Sequence, residues 1–117
     1  MYRKAPVRRG DIYMADLARD PLSKKSGIRP VVVVQNDAGN ASSTEVIVVI
    51  VTSRHKKELP THVKLGASHG VNRPSTALCE RILTIEKRCL INYMGSVAGT
   101  TEEELLNEAL KVSLDLK

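Results

Sequence analysis

A chain of 117 residues that is 42% apolar and 26% charged can build one compact domain with a modest core, which self-association can reinforce. Residues 1–100 carry 16 Lys and Arg against 8 Asp and Glu, while residues 101–117 carry 2 against 5, so a basic body ends in an acidic segment; such a body favours a polyanion, above all nucleic acid. With three tyrosines (Tyr2, Tyr13, Tyr93) and no Trp or Phe, a broad base-stacking platform is excluded, and the longest apolar run, Val46 to Val51, is far short of the roughly 20 residues that cross a bilayer.

In chain order, the first expected element is a half-buried strand from about Asp11 to Leu17. Residues 18–28, with Pro21, Ser23, Lys24, Lys25, Ser26 and Gly27, read as a flexible basic loop. Pro30 to Gln35 holds four consecutive valines; β-branching favours a pleated strand, and unbroken apolarity implies burial on both faces, so a central strand is expected. Residues 36–44, rich in Asn, Asp, Gly and Ser, read as a loop, and Glu45 to Thr52 as a second β-branched strand. After Pro60 a short strand is expected around His62 to Leu65, then a loop from Gly66 to Pro74. A long bent strand from Ser75 to Ile85 and a short one from Leu90 to Val97 follow. The period then becomes helical: Leu106, Ala109, Leu110, Ser113 and Leu114 share one face, which Leu105, Val112 and Leu116 widen. Thr101 and Glu104 match a capping box, and the glutamates of the first turn complement the helix dipole. Five or six strands and one terminal helix make a small, mostly antiparallel α+β barrel, expected as a single domain over residues 1–117.

Signatures of P-loop, dinucleotide-binding, zinc-protease and serine-hydrolase chemistry are absent from the sequence. His55, His62 and His69 lie seven apart, but Pro60 and Gly66 break any helix that would align them, so no metal site is expected. Cys79 and Cys89 form no CxxC pattern and are expected as reduced core residues. The basic N-terminus is followed by no apolar stretch, so it does not read as a secretory leader, and the expected location is the cytoplasm.

Arg29 precedes Pro30, which holds it in extended geometry at the mouth of the buried strand. It is either an ordinary surface arginine or a fixed guanidinium suited to a phosphate and to the charge of a phosphorane-like transition state. Thr52 and Ser53 close the next strand; they cap a turn or, if the two strands pair antiparallel, bring a hydroxyl close to Arg29. Thr61 and His62 follow the rigid Pro60, and Glu80 and Arg81 sit mid-strand. Each pair reads as a local structural feature or as part of a groove wall.

Taken together, RRGDIYMADL, GIRPVVVVQNDAGN, the strand ending IVTS, LPTHV, LCERILTIEKRCL and EALKVSL resemble, in that order, the MazF/PemK-type toxins of bacterial toxin–antitoxin systems. The resemblance covers about Val7 to Leu116. It implies a small SH3-like antiparallel β-barrel of the CcdB/PemK type with a C-terminal α-helix. It further implies a homodimer that acts as an mRNA interferase, cutting single-stranded RNA at short sequences with no metal or other cofactor, and an acidic, MazE-like antitoxin as partner. The conserved arginine of the family's GxRP motif matches Arg29 and its strand-end threonine matches Thr52, which inherit the catalytic assignment; Lys24, Lys25, Ser53, Thr61, His62, Glu80 and Arg81 inherit RNA-groove positions. Lys24 stands where many members carry a carboxylate, and Arg81 where close relatives can carry glutamine, so any acid–base role of that carboxylate is missing here. The competing expectations are a CcdB-like gyrase-binding toxin and a non-catalytic RNA-binding regulator.

Overall fold

The computed structural model describes residues 6–19, 27–54 and 57–117. Lys24, Lys25 and His55 lie outside the described residues. Six strands form one sheet: β1 (Asp11–Asp16), β2 (Ile28–Val33), β3 (Glu45–Thr52), β4 (His62–Leu65), β5 (Ser75–Glu86) and β6 (Leu90–Ser96). Their order across the sheet is β4-β5-β3-β2-β1-β6, and every neighbouring pair is antiparallel. A short helix, α1 (Asp37–Ser42), joins β2 to β3, and the chain ends in α2 (Thr101–Leu114).

The valines explain why β2 and β3 are central. Successive side chains of a strand point to opposite faces, and here both faces are covered. Val32, Val49 and Val51 join Ile12, Val63, Leu65, Ala77 and Cys79 in a cluster sealed by Leu106 and Ala109 of α2. Val31, Val33, Val46, Val48 and Ile50 join Tyr13, Leu17, Leu78, Ile85 and Leu90 in a second cluster on the other face. Cys79 lies in the first cluster and Cys89 in the second, neither in a disulfide. Burial, and then the charge of Glu80, push the Cys79 thiol up to about 11, so it stays protonated.

The sheet curls into a half-barrel because its two ends are drawn together. Gly70, in the turn after β4, packs directly on Gly95 of β6: a Cβ on Gly70 would stand 2.1 Å from the Met94 carbonyl oxygen, and one on Gly95 would stand 2.1 Å from that of His69. Gly70 also has φ +96°, a conformation costly for any other residue. Next to this contact, buried His69 sets Nε2 3.0 Å from Glu102 Oε1, tying the first turn of α2 to the same seam.

Three expectations need correction. Residues 36–44 are not all loop, because Asn36 caps α1 by accepting a 2.8 Å bond from the Gly39 amide, and Asn40 is buried with bonds to Gln35 and Asp37. Side-chain bonds overcome the low helix propensity of DAGNAS. At α2 the cap is Thr100 rather than Thr101, and Glu103, not Glu104, reaches back, its carboxylate accepting from the Gly99 amide at 3.0 Å. The run TTEEE satisfies the capping pattern in two registers. Finally, Leu105, Val112, Leu114 and Leu116 are about half exposed, since only Leu106 and Ala109 of α2 are buried, with Leu110 packed beside them.

Substituting Gly95 by alanine is expected to destabilise the fold by about 1–3 kcal/mol or more, because the new methyl meets rigid backbone. Urea unfolding of Gly95→Ala measures this; an unchanged midpoint contradicts the seam as a close-packed contact.

Candidate active site and nucleic-acid interface

The β2–β3 ladder pairs Val31 with Ile50, Val32 with Val49 and Val33 with Val48. Continued outward by two residues, this register opposes Arg29 to Thr52, and directly opposed residues of an antiparallel pair project to the same face. Across β3 and β5, Thr52 pairs with Thr76; across β5 and β4, Thr76 pairs with Lys64. Arg29, Thr52, Thr76 and Lys64 therefore form one row across four strands, two hydroxyls flanked by two cations. The row inward on the same face is apolar at Val31, Ile50 and Leu78 and ends in His62 on β4.

Arg29 is exposed, and no hydrogen bond or ion pair holds its guanidinium among the described residues. Its backbone is pinned between β1, where it pairs with Ala15, and the proline after it. Thr52 is half-buried, and its Oγ1 accepts a 3.2 Å bond from the Arg54 amide. That bond turns the chain out of β3 and leaves the Thr52 O–H to donate outward. Ser53 and Arg54 are exposed beside it.

A second group lies at a break in β5. Val49 faces Ile82 whereas Ile50 faces Leu78, so Cys79, Glu80 and Arg81 have no partner on β3, and the strand bends there. Instead the Cys79 amide bonds to the Thr61 carbonyl at 2.9 Å. Thr61 Oγ1 donates to Glu80 Oε1 at 2.8 Å, and His62 Nε2 lies 3.1 Å from Glu80 Oε2. The His62 side chain is only 7% exposed, that of Glu80 37%. Burial alone raises the Glu80 carboxyl, but the bonds from Thr61, from its own backbone amide and from His62 outweigh it and hold the group below its ordinary 4.5. Glu80 is thus a fixed carboxylate at neutral pH with both oxygens committed. Arg81 is exposed on the bulge.

The structure accordingly brings Arg29 and Thr52 onto one face and joins Thr61, His62 and Glu80 by hydrogen bonds. Thr76 and Lys64 enter the row through strand register, which the residue pattern alone does not carry.

Residues 8–114 match the family described as PemK-like, MazF-like toxins of type II toxin–antitoxin systems. The chain belongs to that family. Among curated relatives, the endoribonuclease EndoA of Bacillus subtilis is 41% identical over 112 residues, covering 94% of this chain and 96% of the relative. The endoribonuclease MazF of Staphylococcus saprophyticus is 40% identical over 112 residues, covering 94% and 92%. A mycobacterial endoribonuclease solved in complex with its cognate antitoxin superposes with a TM-score of 0.80 at 29% identity, covering 97% of this chain and 98% of that one. These MazF-like relatives agree with the expected α+β fold, a curled antiparallel sheet with a C-terminal helix.

The Glu80 cluster makes a signed pH prediction. A carboxyl lowered by folding adds stability above its unfolded value, and that stability is lost as pH falls through the folded value, below 4.5. In Thr61→Ala the Glu80 carboxyl should titrate closer to 4.5, as followed by carboxyl NMR; an unmoved titration contradicts the Thr61 hydrogen bond as a cause.

Proposed function

We propose that this MazF-like endoribonuclease toxin cuts single-stranded RNA at short sequences, without a metal, by attack of a ribose 2′-hydroxyl on the adjacent phosphorus. The O2′–P bond forms and the P–O5′ bond breaks, giving a 2′,3′-cyclic phosphate and a 5′-hydroxyl end. The 2′ proton passes to solvent, and the departing 5′ oxygen takes up a proton from solvent. DNA, lacking the 2′-hydroxyl, is bound and left whole.

The observation that supports this reading is the β2–β3 ladder, whose outermost pair, Val31 with Ile50, lies two residues inside Arg29 and Thr52 on each strand, so that both project to the same face. A phosphate seated between them meets a permanently charged planar fork on one side and a hydroxyl donor on the other. Arg29 offsets the charge that grows on the phosphoryl oxygens, the task a metal ion would otherwise perform. Thr52 holds the phosphate in line for attack; an aliphatic hydroxyl is too weakly acidic to serve as a base. Thr61, His62 and Glu80 form a fixed wall of the groove, since Glu80 is a weakened base and the His62 Nε2 is engaged. Ser53 and Arg81 add polar and cationic contacts along it.

A homodimeric, cytoplasmic protein whose residues 1–117 act as a single domain is part of the same reading. So is an acidic antitoxin that covers this basic face; the mycobacterial relative solved with its antitoxin supports it.

Incubating the protein with a mixed RNA pool in EDTA and sequencing the new 5′ ends tests the proposal. Cyclic-phosphate products at a recurrent short sequence are expected. Arg29→Ala, altered at an exposed position, is expected to stay folded and to lose about 10²- to 10³-fold in rate. RNA left whole by the wild type contradicts the nuclease and returns the gyrase-binding and RNA-regulator alternatives; wild-type cleavage by folded Arg29→Ala removes Arg29 from the chemistry.

A further inference from the structure

Beyond Thr52 the face opens into a cavity of about 480 Å³, lined by Ser53, Arg54, Lys57, Glu58, Lys64 and Thr76 among others. Three cations face one carboxylate there. The cavity is continuous with the Arg29–Thr52 pair in two ways: the Arg54 amide bonds to the Thr52 hydroxyl, and Thr76 and Lys64 extend the same cross-strand row. Lys64 Nζ lies 2.6 Å from Glu58 Oε1, and the hydrogen bond from Lys64, then its charge, hold the Glu58 carboxyl below its ordinary value. An anionic oxygen already sits where an ammonium group can receive one.

We propose that this cavity is a second phosphate subsite of the RNA groove, in which Lys64 and Arg54 hold the phosphate of a nucleotide flanking the cut and the Thr76 hydroxyl donates between the two sites. The proposal rests on the reading of this face as the RNA-cleaving groove. Lys64 is three strand spacings from Arg29, roughly 14 Å at about 4.8 Å each, with Thr52 and Thr76 between them, so the cavity lies further along the groove than a phosphate seated at Arg29 and Thr52. Glu58 occupies Lys64 in the absence of RNA. Binding exchanges its carboxylate for a phosphate oxygen and leaves Glu58 facing the strand, so Glu58 opposes affinity while Lys64 supplies it.

The test measures binding of uncleavable 2′-O-methyl RNA oligonucleotides of mixed sequence over a sodium chloride series, with the wild type, Lys64→Gln, Glu58→Gln and Lys111→Gln. Lys111, on α2, lies outside the row and controls for charge alone. Lys64→Gln is expected to bind about three- to tenfold more weakly and to flatten the log–log salt slope by about 0.7, one phosphate contact on a single strand. Glu58→Gln should bind more tightly, and Lys111→Gln like the wild type. Equal affinity and slope for Lys64→Gln and the wild type, or an equal loss in Lys111→Gln, overturns the subsite. Failure of the parent reading looks different: the binding pattern above persists while unmodified RNA of the same sequences stays whole.

Discussion

The pairing of β2 with β3 is the constraint on which everything else rests. The paired segments, Val31 to Val33 and Val48 to Ile50, are entirely β-branched and buried on both faces, so neither can slip by one residue without exchanging the contents of two cores. Register is thereby fixed by packing rather than by any polar contact at the strand ends. Arg29 and Thr52 lie just past the last buried pair, Val31 and Ile50, where side chains of the second core face give way to solvent. A hydrophobic device thus positions a polar pair: the valines bear the stability, while the Arg29 guanidinium is held by no bond among the described residues and the Thr52 hydroxyl accepts one from the Arg54 amide. Preorganisation of this kind is what electrostatic stabilisation of a transition state requires, because donors that are already aimed need not reorganise during reaction.

The charges fall into two kinds. Some are spent inside the protein: Asp37, lowered first by the Arg9 amide and then by Asn40, anchors the N-terminal segment to α1, and Glu86 clamps Arg88 across the turn before β6. Others, among them Arg29, Arg54 and Lys64, gather on the face where β2, β3, β5 and β4 line up. Two carboxylates of the acidic first turn of α2 are engaged within the fold, Glu102 with His69 and Glu103 with the Gly99 amide and Arg9. The excess of positive charge on residues 1–100 is therefore gathered in part on one face rather than spread as a uniform coat.

Much of the architecture was legible in the residues. Glu45 to Thr52 and His62 to Leu65 are strands with the expected bounds, the first because it is a β-branched run, the second because Pro60 and Gly66 bracket a short segment that alternates in burial. The run of valines declared a strand buried on both sides, although β2 spans Ile28–Val33 rather than Pro30 to Gln35, and the helical period placed α2. What the residues did not declare follows from interactions remote in sequence or from local side-chain bonds. Asn36 and Asn40 build α1 from a segment with the composition of a loop, and the Gly70–Gly95 contact joins ends that no local pattern connects. At the site, Arg29 and Thr52 could be named from their strand ends and from the family resemblance. The Thr61–Glu80–His62 cluster depended on the bulge that displaces Glu80, and the Thr76–Lys64 extension depended on the registers of β5 with β3 and β4.

A double-mutant cycle on RNA cleavage, comparing the wild type, Arg29→Ala, Thr52→Val and the double variant, asks most directly whether the opposed guanidinium and hydroxyl act on the same phosphate. Groups that share one transition state lose their effects non-additively. The double variant should fall little below Arg29→Ala, with a coupling of about 0.5–3 kcal/mol between the two positions. Rate losses that simply multiply would show that the two side chains work independently, and would contradict the cross-strand pair as a single catalytic unit.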